Sequence, residues 1–205
     1  EQDIRKMGGL RTHLPITFAT ILIGVLAISG IPPFAGFFSK DEILAVAFAH
    51  NKALWALALL ASLLTAFYMF RFLFLIFFGQ VRASKHAMDH IHESPKSITI
   101  PLIVLAALST VGGFIGIPEA LGGSHWLSSY LAPVFGEAEQ SHLSHSTEYV
   151  LMGMVVVLTA VIIVSAYTGF VSRGSVPPPD GATRGLLKTL LNKYYVDELY
   201  QSVVV

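Results

Sequence analysis

From Leu14 to about Ala49 the sequence is almost wholly apolar. That run is too long for one membrane-crossing helix, which needs about 20 residues to traverse a hydrocarbon core of about 30 Å. It is interrupted at Gly30-Ile31-Pro32-Pro33 and again at Gly36. A proline has no amide donor and clashes with the preceding turn, so two in succession break the hydrogen-bond ladder and release carbonyls at membrane depth. Lipid tolerates released carbonyls only where protein or water meets them. The run therefore reads as a discontinuous transmembrane helix, residues 14–50, with halves at 14–30 and 38–50 and with Gly30, Pro32, Pro33 and Gly36 as the break.

Three further apolar runs, 53–79, 98–117 and 149–171, each have the length of a span. Only 13% of the residues are charged, about half the usual share in a soluble domain. The formal net charge is zero, so orientation depends on how the charges are distributed. Arg5, Lys6, Arg11, Arg82, Lys85, Lys96 and Arg173 fall on one side of the alternating spans and only Lys52 on the other. The positive-inside rule makes 1–13 and 80–97 cytoplasmic loops and 118–148 a periplasmic one. The last carries Glu119, Glu137, Glu139 and Glu148 without Lys or Arg, and its Trp126 and Tyr130 suit a membrane interface. Residues 172–205 hold a stiff connector, Pro177 to Gly181, and then Leu186, Leu187, Leu190, Leu191, Tyr194, Leu199 and Val203 at roughly helical spacing. The fold class is all-α: a polytopic transmembrane helix bundle with one discontinuous helix and a C-terminal amphipathic surface helix. The chain opens on Glu1 and stops at Val205 without a polar tail, and it reads as an internal stretch of a longer one.

Three consecutive ionisable residues, Lys40, Asp41 and Glu42, stand inside the first apolar run. Charges at membrane depth are costly and by default face an internal cavity that marks an ion pathway. Ser39 and Glu42 also satisfy a helix-capping box, and the three charges fit a first helical turn near the interface. The ion-path reading gains from the adjacent break and from the apolar stretch that continues to Ala49. A lysine suits proton handling because burial disfavours its charge while a nearby carboxylate favours it, so small movements of a partner load or release a proton. Arg71 lies inside the next span as a possible supporting charge. Three readings stay open for it: a pair with Asp41, a pair with a carboxylate on another helix, or snorkelling to the interface.

His86, His90 and His92, and likewise His125, His142 and His145, read as solvated loop residues, and no metal site is expected. The sequence has no cysteine, which excludes thiolate clusters and thiol catalysis. It also lacks the glycine-rich and His-Glu motifs of nucleotide binding and zinc hydrolysis. No bond chemistry and no nucleic acid are expected, and the lipid bilayer is the chain's immediate surrounding.

The run Ser29-Gly30-Ile31-Pro32-Pro33-Phe34-Ala35-Gly36-Phe37-Phe38-Ser39-Lys40-Asp41 resembles the antiporter-like proton-channel subunits of respiratory complex I, NADH:quinone oxidoreductase. Gln2 to Leu10 resembles the loop before that family's second broken helix, and Tyr68-Met69-Phe70-Arg71 its next helix. Lys193-Tyr194-Tyr195-Val196-Asp197-Glu198-Leu199-Tyr200 resembles the approach to its lateral helix, in the L type of subunit. The resemblance implies that Lys40 is the terminal channel lysine and Asp41 its acidic neighbour, while Glu42 fits the motif without a defined role. It implies the exit half of a proton channel coupled to quinone reduction, with the entry half-channel upstream and no redox chemistry in this chain. NADH, FMN, iron-sulfur clusters and quinone belong, on this likeness, to partner subunits. The expected partners are other membrane subunits of complex I, above all the adjacent antiporter-like one, in a bacterial cytoplasmic membrane rather than an organellar one. The alternatives are the large subunit of a sodium/proton antiporter complex or a membrane-bound hydrogenase, and a non-conducting structural subunit.

Overall fold

The computed structural model describes residues 2–117, 121–123, 126–136, 143–177 and 185–204. Among them there is no strand. The first unit, Glu1–Ser175, contains α1 (Pro15–Ile28), α2 (Ala35–His50), α3 (Lys52–Phe77), α4 (Lys85–Asp89), α5 (Lys96–Val111), α6 (Trp126–Phe135) and α7 (His145–Tyr167). A 3-10 turn, Gly112–Gly116, prolongs α5, and a π-helical turn, Thr168–Ser172, prolongs α7. Lys52–Phe77, Lys96–Gly116 and His145–Ser172 are each long and apolar enough to cross a membrane. With 14 and 16 residues, α1 and α2 are only about 21 and 24 Å long, each shorter than the hydrocarbon core of about 30 Å. The fold is an all-α membrane bundle.

Helix α3 is packed by α1, α2 and α7. Val25, Phe70, Leu73, Phe74, Phe77 and Ala166 are buried where they meet, with Leu10 from the N-terminal segment. The ring of Phe74 stands edge-on to Tyr167 at 5.6 Å, and Phe18 lies against Phe77 at 5.2 Å. The outward faces carry Leu57, Leu60 and Leu64 on α3, Ile100, Val104 and Leu108 on α5, and Val157, Val161 and Val164 on α7, all exposed. Lipid is as apolar as these side chains, so close packing and buried polar contacts, not apolar burial, hold the helices together.

Two expectations shift in detail. The second half of the broken helix starts at Ala35, directly after the prolines, rather than at 38. Gly36 therefore lies inside a helical turn, not in the break. Within the stretch read as a loop over 118–148, the structure forms α6, which packs against the Gly112–Gly116 turn. Glu119, His125, Glu137, Glu139 and His142 lie outside the described residues.

The loops at one end of the bundle are tied down by polar contacts to backbone. Arg82 donates to the carbonyls of Arg5 (2.9 Å) and Leu75 (2.7 Å), and the Gly9 amide donates to the Phe78 carbonyl (3.0 Å). Arg11 stacks 5.2 Å over the Phe78 ring. The first turn of α1 has no cap of its own, because Leu14 supplies none and Pro15 follows it. Its free amides are met instead by Glu93, which accepts from Ile16 N–H (2.8 Å), Thr17 N–H (3.3 Å) and the Thr17 hydroxyl. A carboxylate at a helix N-terminus is favoured by both the orphan donors and the helix dipole. Arg11, Arg82 and Lys96 thus belong to the same end as the start of α1, the end of α3 and the start of α5.

The second unit, Val176–Val205, contains α8 (Leu186–Leu191) and α9 (Val196–Val204), separated by a 3-10 turn over Lys193–Tyr195. Lys193, Tyr194 and Tyr195 all have positive φ, which breaks the tail into two short helices. Lys193 pairs with Asp197 at 2.7 Å, which raises the lysine's pKa. On α9, Val196, Leu199, Tyr200 and Val203 form an i, i+3, i+4, i+7 stripe opposite Asp197 and Glu198. The sequence suggests one amphipathic stretch from Leu186 to Val203; the structure divides it at the Lys193–Tyr195 turn, and this stripe belongs to the second part. All but Pro177 of the Pro177–Gly181 connector lies outside the described residues.

The Glu93 clasp gives a pH test. Partial burial pushes the carboxyl up, but the bonds from Thr17, Ile16 and Ser94 outweigh it, so its pKa lies below the ordinary 4.5. A lowered carboxyl contributes stability that is present above pH 4.5 and is lost as pH falls through the folded value. Amide hydrogen exchange at Ile16 and Thr17 should accelerate below that window in wild type. In Glu93→Gln it should be faster at neutral pH, by an opening free energy of about 1 kcal/mol, the usual worth of a lost cap.

Candidate functional site

The break between α1 and α2 is built by a backbone turn that leaves one acceptor over. At the end of α1, Gly30 adopts the left-handed conformation (φ 73°). Its amide returns to Ala27 O (3.0 Å), and the Ile31 amide to Leu26 O (3.2 Å). This is the Schellman pair, in which a residue without a Cβ turns the chain and satisfies two terminal carbonyls. Ser29 N–H takes Val25 O (3.0 Å). The Ile28 carbonyl receives none of these amides, and Pro32 and Pro33 have none to give.

The side chain of Lys40 meets that carbonyl. Its Nζ donates to Ile28 O (2.5 Å) and to the Ser62 hydroxyl on α3 (3.4 Å). Lys40 is half-buried, in the second turn of α2, and its cation sits at the C-terminal, electronegative end of α1. Two glycines make the approach feasible. A Cβ on Gly36 would stand 1.9 Å from Ala27 O, so only glycine lets α2 lie against the end of α1. A Cβ on Gly30 would stand 3.1 Å from Lys40 Cδ. From the other side, the Gly112–Gly116 turn presses Gly113 onto Phe38 and Ala35, where a Cβ would stand 2.6 Å from the Phe38 ring.

Successive residues on a helix point about 100° apart, and the three charges accordingly face three environments. Asp41 is buried, only 5% exposed, on the inward face with Phe37, Phe38 and Leu44. Its Oδ2 has no partner among the described residues, and neither does the hydroxyl of Ser29, 1% exposed in the break. Buried polar atoms without protein partners call for ordered water. Glu42 is exposed on the outer face of α2 and forms no ion pair among the described residues. Lys40 likewise forms no ion pair with Asp41; the lysine's partners are a carbonyl and a hydroxyl.

Arg71 is half-buried six residues before the end of α3, about 9 Å from it. Its guanidinium lies 5.9 Å from the ring centre of Phe170, in the π-helical turn after α7, and has no carboxylate partner among the described residues. The structure thus brings Gly30, Gly36 and Lys40 together at the break with Asp41 next in the helix, and leaves Arg71 apart at one end of the bundle. His86 and His90 meet edge to face at 4.9 Å across α4, and no cluster of three metal-ligating side chains occurs among the described residues.

Sequence reasoning did not find Ser62 or the Ile28 carbonyl. Ser62 could have been suspected as a hydroxyl near the middle of an apolar span. The carbonyl could not, because every residue has one, and only the turn decides which is left over.

Residues 1–67 match the family described as NADH:quinone oxidoreductase/Mrp antiporter, TM. Over its whole length the chain is 38% identical to NAD(P)H-quinone oxidoreductase chain 5 of a Picosynechococcus strain, covering 33% of that protein. It is 35% identical to NADH-quinone oxidoreductase subunit L of Rickettsia bellii, again over all of this chain and covering 32% of the relative. Subunit L of Mycobacterium tuberculosis is 45% identical over 69% of this chain, covering 22% of the relative. The chain therefore spans about a third or less of the length of these curated relatives.

The glycine contacts set a mutational contrast. Gly36→Ala should cost on the order of 3 kcal/mol, as overpacking against backbone, and Gly30→Ala about 1–2 kcal/mol from its positive φ. Gly24→Ala, where the added methyl meets nothing within 4 Å, should be tolerated. Thermal inactivation midpoints of the purified membrane protein would rank the three.

Proposed function

This chain belongs to the antiporter-like membrane subunits of NADH:quinone oxidoreductase, and from that premise we propose that it forms the exit half of a proton channel coupled to quinone reduction. The observation that carries the proposal is the Lys40 ammonium held on the open Ile28 carbonyl, inside the broken helix. A lysine in such a place is not needed to pin a salt bridge, since it makes none with Asp41 or Glu42. It sits where a proton can be carried: a charge at membrane depth, met by a break carbonyl and a hydroxyl, beside a buried carboxylate whose free oxygen calls for water.

In this reading Lys40 holds and releases the proton, Asp41 is its buried acidic neighbour, Gly30, Pro32 and Pro33 build the break, and Gly36 lets α2 close against it. Arg71 supports the bundle through Phe170 rather than through the lysine site. The basic loops, Arg5 to Arg11 and Arg82 to Lys96, face the cytoplasm of a bacterial cell by the positive-inside rule, and the α2–α3 corner faces the periplasm. The chain is thereby part of a translocase. NADH, FMN, iron-sulfur clusters and quinone act in partner subunits, and the adjacent antiporter-like subunit is the nearest neighbour. The names of the relatives support this assignment over the sodium/proton antiporter that the same family description covers.

The test is proton pumping against quinone reductase activity in vesicles carrying the intact complex with Lys40→Ala. A lower pumped-proton yield per quinone reduced, at wild-type assembly, is the expected result. Unchanged pumping and unchanged turnover would make the Ser39–Glu42 segment a helix start and overturn the reading.

A further inference from the structure

We infer that Ser62 is a positioning residue for Lys40: its hydroxyl is the one partner of that lysine able to bond it with and without its proton. The inference rests on the channel reading above. The Ile28 carbonyl can only accept, so it serves the ammonium but offers nothing to the lone pair of a neutral amine. A serine hydroxyl both accepts and donates. Ser62 Oγ lies 3.4 Å from Nζ, longer than the 2.5 Å to Ile28 O, so the lysine now favours the carbonyl and has the hydroxyl at the edge of reach.

The state of Ser62 supports this role. Hydroxyls elsewhere in the spans mostly bond a carbonyl of their own helix: Thr20 to Ile16, Thr65 to Ala61, Thr110 to Ala106 and Ser165 to Ile162. Ser62 makes no such bond; its single hydrogen bond among the described residues is the one it accepts from Lys40. Its own proton therefore has no acceptor in the described protein and is available to the amine. Ser62 lies on the inward face of α3, in line with Ala66 (0% exposed) and Phe70 (4% exposed), about 15 Å from the start of that helix. No charged side chain of α1 competes for the lysine, since α1 has none, and those of α3 stand near its ends, at Lys52 and Arg71.

Loss of the proton would then move Nζ from the carbonyl toward Ser62, a displacement of an ångström or so within a lysine's reach. The amine changes partner instead of losing one, which keeps an uncharged lysine from drifting out of the path.

The experiment uses vesicles carrying the intact complex with Ser62→Ala, Ser62→Thr or Lys40→Ala, matched for assembled complex. The readout is the share of pumped protons per quinone reduced that Lys40→Ala removes. Ser62→Ala should lower that share about fivefold, the effect of one lost hydrogen bond of ordinary strength, and Ser62→Thr should restore it. Wild-type coupling in Ser62→Ala beside defective coupling in Lys40→Ala would overturn the inference and leave the channel reading standing. Equal loss in Ser62→Ala and Ser62→Thr would also overturn it, since the hydroxyl would then not be what matters. Wild-type coupling in Lys40→Ala would overturn both.

Discussion

A carbonyl released inside a bilayer must be met by protein or by enclosed water, and the Ile28 carbonyl is met by the ammonium of Lys40. Much of the site follows from that contact. The two prolines cannot donate, the Gly30 turn satisfies Leu26 and Ala27 but not Ile28, and only a long cationic side chain from the following helix reaches the gap. For that side chain to reach, α2 must lie against the end of α1, and Gly36 permits it by presenting no Cβ to the Ala27 carbonyl. Phe38 then wedges α2 against Gly113, and Ser62 on α3 closes the other side. The break and the lysine are one device: each satisfies what the other would leave exposed.

The same geometry separates the three adjacent charges. Lys40 looks into the break, Asp41 is buried among Phe37, Phe38 and Leu44, and Glu42 faces outward. A direct Lys40–Asp41 ion pair would lock the lysine's charge in place, because opposite charges at low dielectric attract strongly. Keeping them on different helix faces avoids this and leaves a carboxylate oxygen and the Ser29 hydroxyl for water. Remote from this centre, Glu93 and Arg82 fasten the loops at the end of the bundle to its backbone, so that α1 is capped from another part of the chain.

The outline of this arrangement is readable in the residues. Consecutive prolines inside an apolar run announce a broken helix, and the lengths of the other runs announce spans, because both effects are local. What is tertiary is not readable. Gly36 looks like a break residue by composition, yet it lies within a helical turn and acts through a contact with Ala27 across the break. Arg71 offers three readings to the sequence, none of which includes Phe170, the ring that the π-helical turn after α7 brings under its guanidinium. Ser62 looks like one more small polar residue until Lys40 is found at its oxygen. Helix α6 hides because its ten residues, with Pro133 among them, are too short and too interrupted to register against the spans around it.

The central claim is that Lys40 serves the break and not a neighbouring carboxylate. The measurement that addresses it most directly is an electron cryomicroscopy map of the intact complex in lipid at a resolution that shows ordered water. The account predicts Nζ on the Ile28 carbonyl within reach of Ser62, with water at the free oxygens of Asp41 and Ser29. A Lys40 side chain paired with Asp41 or Glu42, over a dry break, would contradict it.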